Sequence, residues 1–81
     1  MKNLLKEEHI GREVLIESKN KKLDGLKGKI IDETKNTYLI KTEKAKVRVI
    51  KKLVKIIFLK ERVRIDGKKV AKRPEDRIKG E

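Results

Sequence analysis

Gly28-Lys-Ile-Ile-Asp-Glu-Thr-Lys-Asn-Thr-Tyr-Leu-Ile-Lys-Thr42 decides the fold, because it reads as a β-hairpin. The second arm, Thr37 to Thr42, carries Thr, Tyr, Leu and Ile, which suit a pleated, half-buried surface. Lys35-Asn36 lies at the reversal, and Asn tolerates the positive φ of a tight turn. Ile30 and Ile31 would point to opposite faces of a strand, so both sides of the sheet are covered there. That is expected of a strand in a small barrel or beneath another subunit.

Working outward, further strands add to this hairpin. Arg12 to Ser18 precedes it, with Val14 and Ile16 on one face. Ala45 to Ile50 turns Val47 and Val49 inward and Lys46 and Arg48 outward. Val54 to Leu59 is nearly all apolar and reads as the most buried strand. In Arg62 to Ile65 the arginines face out while Val63 and Ile65 face in. Asp66-Gly67 is a hairpin signal that predicts a return strand over Lys68 to Ala71. Short helices are expected at both ends. Asn3 caps one that Gly11 ends, and Pro74 opens another with acids first and cations last. The pattern is mainly β, about six strands in a small, strongly bent antiparallel barrel.

Charge narrows the function. The chain of 81 residues holds 25 Lys plus Arg against 13 Asp plus Glu, a formal net charge of +12. Such an excess favours a polyanionic partner, with nucleic acid ahead of an anionic membrane surface. No membrane association is expected, because no long basic amphipathic helix and no spanning apolar run is present. The absence of a signal-like apolar segment predicts a cytoplasmic protein. Cysteine is absent and there is one histidine. Disulfides, thiolate metal sites and His-rich zinc sites are thereby excluded. Charged residues reach 47% of the chain. This reads as the heat adaptation of a thermophile, with an AT-rich genome as the alternative.

With Tyr38 and Phe58 the only aromatics, any nucleic-acid binding is expected to rest mainly on phosphates rather than stacked bases. Phe58 belongs to the core. Tyr38 is read as a half-buried strand aromatic ahead of a base platform. The candidate phosphate ligands are Arg12, Lys46, Arg48, Lys51 and Lys52, the loop residues Lys19, Lys21 and Lys22, and Arg73 and Arg77. Each alone reads equally well as a solvated charge, but alternate outward cations on a strand form a stripe. Thr34, Asn36 and Thr37 read as turn formers. A self-contained Mg²⁺ nuclease is disfavoured, since adjacent Asp32 and Glu33 point to opposite faces and His9 lacks a second histidine. The chain itself is expected to be noncatalytic and to bind no cofactor.

The order of these pieces resembles the archaeal ribonuclease P protein component 1 family. The resemblance rests on Ile10-Gly-Arg12, Glu17-Ser-Lys-Asn20, Leu23-Asp-Gly-Leu-Lys-Gly28, Asp32-Glu-Thr-Lys-Asn-Thr37 and Arg73-Pro-Glu-Asp-Arg77, and covers nearly the whole chain. It implies an Sm-like barrel over residues 12–72, an N-terminal helical extension over 1–11 and a helical tail over 73–81. It implies a subunit of the complex that removes the 5′ leader from precursor tRNA, with catalysis and its Mg²⁺ belonging to the RNA subunit. This chain would bind the specificity domain of ribonuclease P RNA, meet precursor tRNA only indirectly, and associate with other ribonuclease P proteins. Among those, a zinc-containing subunit would be its heterodimer partner, with Leu4, Leu5, Ile10 and Ile31 as the expected contact. A ribosomal or translation-associated SH3-like domain and a protein-interaction module docking through Val54 to Leu59 are the alternatives.

Overall fold

The computed structural model describes residues 8–71. Six strands follow in chain order: β1 (Glu13–Ser18), β2 (Lys27–Glu33), β3 (Thr37–Lys41), β4 (Lys46–Ile50), β5 (Val54–Phe58) and β6 (Val63–Asp66). They form one antiparallel sheet ordered β4-β3-β2-β1-β5-β6. Strands β4 and β6 are its edges, so hydrogen bonding does not close the sheet into the barrel that the sequence suggested. The two terminal helices were expected on residues that lie largely outside those described. Residues 8–11 form only a turn, with Gly11 at φ +93°.

Alternation builds the core. Val14, Ile16, Ile30, Ile40, Val49, Ile56 and Phe58 are fully buried on one face. The hairpin at residues 28–42 is present. Thr34 and Thr37 close it, with the Thr37 N–H donating to Thr34 Oγ1 at 3.1 Å and the two hydroxyls bonded at 2.7 Å. Gly28 lies so close to β3 that a Cβ would run into the Lys41 carbonyl. This is the close approach for which glycine is used inside a strand.

A bulge interrupts the β2–β3 register between Ile30 and Asp32. It adds one residue to β2 and inverts the inward-outward parity beyond it. Ile30 is buried, Ile31 half-buried, Asp32 exposed and Glu33 buried. Without the bulge Glu33 would face solvent.

Two features depart from the sequence reading. Val63 is 37% exposed although it was expected inside. It begins an edge strand, immediately after a turn in which Arg62 has φ +59°. The expected return strand over Lys68 to Ala71 is instead a 3-10 turn, Gly67–Val70. Asp66 Oδ1 accepts the Lys68 N–H at 3.0 Å, which caps a turn rather than opening a hairpin. Gly67 packs against the first 3-10 turn, Lys51–Leu53, where any Cβ would strike the Lys51 carbonyl and lie 2.7 Å from the Val54 carbonyl. Both obstacles are backbone and cannot swing away. Gly67→Ala is therefore expected to destabilise the fold by about 1–3 kcal/mol, read from the urea midpoint.

Candidate nucleic-acid interface

The outer face of the sheet holds a lateral row of cations. Lys29 on β2 stands opposite Lys41 on β3, and Lys41 stands opposite Lys46 on β4. Each is exposed because its neighbour Ile30, Ile40 or Val47 takes the inner position. The three span about 10 Å at ordinary strand spacing. Like charges directly opposite one another repel, and none of the three has an ion-pair partner among the described residues. Arg48 lies on the same face of β4, where its Nη1 donates to Thr37 Oγ1 at 3.1 Å. Lys46 and Arg48 were legible as an outward stripe. Lys29 and Lys41 were missed, because only strand register brings them alongside Lys46.

A second group of cations surrounds a groove of about 670 Å³ at the other end of the sheet. Lys19 from the β1–β2 loop and Lys52 from the first 3-10 turn meet there, as the sequence reading did not foresee. Lys55, Arg64 and Lys68 complete the cationic lining. Lys21 and Lys22 are exposed on the adjoining loop. That loop is shaped by its own polar side chains, with Asn20 Oδ1 accepting the Lys22 N–H and Asp24 Oδ1 the Ser18 N–H.

Two predicted ligands do other work. Arg12 is partly buried, pairs with Glu61, and donates from Nε to the Glu8 carbonyl at 2.6 Å. It fastens the entry to β1 against the β5–β6 turn. Lys51 is fully buried and is withdrawn from the set of phosphate ligands. Its Nζ lies 2.6 Å from Glu33 Oε2, 2.8 Å from the Thr34 carbonyl, and 4.7 Å from the centroid of the Tyr38 ring. The Tyr38 hydroxyl is hydrogen bonded to His9 Nδ1 at 2.5 Å, and the His9 ring packs against Phe58 with centroids 4.7 Å apart. This buried polar chain was not anticipated. Neither Tyr38 nor Phe58 is available for stacking on a base, since both have 0% exposure.

Of the expected partner-contact residues, Ile10 is 43% exposed and Ile31 half-buried. The Gly11 N–H bonds to the Ile30 carbonyl at 2.7 Å, which sets Ile10 beside the bulge. Leu4, Leu5, Arg73 and Arg77 lie outside the described residues.

The sequence matches a model of the ribonuclease P/MRP subunit p29 family over residues 2–80. The chain belongs to that family. It is 40% identical over 81 residues to ribonuclease P protein component 1 of Methanocaldococcus jannaschii, covering 95% of this chain and 85% of that one. The corresponding protein of Methanosphaera stadtmanae is 46% identical over 81 residues, covering 95% and 87%. Among solved structures, the chain is similar to Mth11, described as a homologue of the human RNase P protein Rpp29. The TM-score is 0.58 at 31% identity, covering 89% of this chain and 99% of Mth11. Within this p29-family member, the cation row and the groove are the two concentrations of exposed positive charge described above.

Proposed function

We propose that this chain is a noncatalytic, RNA-binding subunit of ribonuclease P that supports RNA-catalysed removal of the 5′ leader from precursor tRNA. The observation that carries the reading is the exposed row Lys29–Lys41–Lys46, in which only Lys29 has a carboxylate, Glu13 of β1, opposite it in register. A fold keeps three opposed like charges at a cost, and a phosphate backbone relieves that cost while releasing its counterions. Family membership supports ribonuclease P RNA as the polyanion, and within it the specificity domain is the segment proposed.

The carboxylates support a noncatalytic role. Asp32 and Glu33 face opposite sides of β2, so they do not converge on one metal ion. The Mg²⁺ of the reaction is assigned to the RNA subunit. Ile10 and Ile31, with Leu4 and Leu5, are proposed to meet a zinc-containing ribonuclease P protein, beside other proteins of the complex. The chain is proposed to be Sm-like in its strand arrangement, although hydrogen bonds leave the sheet open, to carry short helices at its two ends, and to work in the cytoplasm.

The test is precursor-tRNA cleavage by reconstituted ribonuclease P RNA at limiting Mg²⁺, with and without this chain and the zinc-containing subunit. Cleavage is expected to rise on adding the chain, only when the RNA is present, and to fall back when Lys29, Lys41 and Lys46 are all changed to Gln. Cleavage by the chain alone would overturn the noncatalytic assignment. No effect of the chain on the complete mixture would overturn the subunit assignment.

A further inference from the structure

The groove beside β1, β5 and β6 differs in chemistry and shape from the cation row. Its volume of about 670 Å³ falls within the range of small-ligand clefts, roughly 300–1,000 Å³. The row lies across exposed strand positions and can follow the backbone of a helix. A concavity of this volume has room for nucleotide-sized units.

Its lining sets five cations, Lys19, Lys52, Lys55, Arg64 and Lys68, against three carboxylates. One of those carboxylates is paired with a cation, the other two accept backbone N–H groups and keep their charge, and Glu17 and Asp66 stand in register on either side of Lys55. Glu17 accepts from Arg64 Nε at 2.7 Å, Asp24 from the Ser18 N–H, and Asp66 from the Lys68 N–H, each at 3.0 Å. The four lysines have no ion-pair partner among the described residues.

Leu53 stands on the same lip and is 64% exposed. The burial of Lys51 explains why. In the short turn Lys51–Leu53 one side chain enters the core, and Lys52 and Leu53 are left facing out. The contact of Gly67 with the Lys51 carbonyl packs this turn against Gly67–Val70, so Lys52, Leu53 and Lys68 lie along one edge of the groove. An apolar side chain among unpaired ammonium groups matches an unpaired nucleotide, which offers phosphate to the lysines and a base or ribose face to the leucine. A duplex keeps its base faces stacked inside and offers only the first of these.

We propose that this groove is a second RNA site, distinct from the cation row, that takes an unpaired strand. The phosphates lie on Lys19, Lys52 and Lys68, and a base or sugar packs on Leu53. The proposal rests on the RNA-binding reading and divides it between two surfaces, one for helical and one for unpaired RNA.

The test uses the full chain and fluorescence anisotropy with two labelled probes, an oligouridine of about 12 nucleotides and an RNA duplex of about 12 base pairs. Lys52→Gln with Lys68→Gln is expected to weaken oligouridine binding about tenfold, with less than about a twofold change on the duplex. Leu53→Ser should weaken oligouridine about threefold at any salt, because the lost contact is apolar. Lys29→Gln, Lys41→Gln and Lys46→Gln together should show the opposite preference. Duplex binding that persists while the groove variants leave oligouridine unchanged would overturn this proposal alone. Equal losses on both probes would also overturn it, since the groove would then be part of one diffuse field. Binding to neither probe would overturn the RNA reading along with it. A glutamate-rich peptide that displaces oligouridine at equal concentration would reassign the groove to a protein partner.

Discussion

Lys51→Met is expected to cost about 3–5 kcal/mol of folding stability, because it leaves the Glu33 carboxylate buried without its cation. Both side chains have 0% exposure, and the Nζ–Oε2 separation is 2.6 Å. The substitution also removes the donor to the Thr34 carbonyl, an unmet bond worth about 1–3 kcal/mol where no water replaces it. A domain of this size has only about 5–15 kcal/mol in hand, so the variant should unfold at markedly lower urea. Adding Glu33→Leu should recover most of the loss, since an apolar pair of similar volume replaces a buried ion pair at little cost. The remainder belongs to Thr34. A double-mutant cycle read by urea denaturation gives the coupling directly. A single variant as stable as the parent would mean that the ammonium is not desolvated in solution.

The same pair shows where a reading of sequence fails. Lys51-Lys52 follows a strand whose cations alternate outward, so both look like surface charges. What turns Lys51 inward is the 3-10 turn, and what prepares its partner is the bulge at Ile31. One added residue in β2 carries Glu33 to the core face, and hydrophobic alternation gives no warning of it. The apolar partners were legible for the opposite reason. Val14, Ile16, Val49, Ile56 and Phe58 repeat at the strand period and are all buried. The β6 end misled because Asp66-Gly67 is a good hairpin signal locally. The outcome was set by a contact with Lys51, far away in the chain, that no dipeptide encodes.

The candidate interface was half legible on similar grounds. Strand alternation identifies Lys46 and Arg48 as outward but is silent about what stands next to them. Lys29 and Lys41 join them only through the β2–β3 and β3–β4 registers. The groove is a further step removed. It is assembled from a loop, three strands and two 3-10 turns, so Lys19 and Lys52 had reason to be named but not to be placed together. Site residues set by local periodicity can be read early. Those set by register or by turn packing require the fold.

Changing Lys29, Lys41 and Lys46 to Gln together is expected to weaken binding to duplex RNA about a hundredfold near physiological salt, with the slope of log K against log salt reduced by about 2–3. Each lysine that contacts a phosphate contributes close to one released counterion, and three are removed. The sign of the accompanying stability change separates this from damage to the fold. Directly opposed like charges across β2, β3 and β4 destabilise the sheet by a few tenths of a kcal/mol per pair. Neutral glutamines in the same exposed positions should therefore leave the urea midpoint unchanged or raise it slightly. A binding loss caused by misfolding would lower that midpoint instead. The decisive measurement is a salt titration of duplex binding for parent and variant, paired with their unfolding curves. Weaker binding, a shallower slope and undiminished stability together identify a phosphate-tracking surface. An unchanged slope would mean that these lysines face solvent in the complex, and that the charge holding the RNA lies elsewhere on the chain.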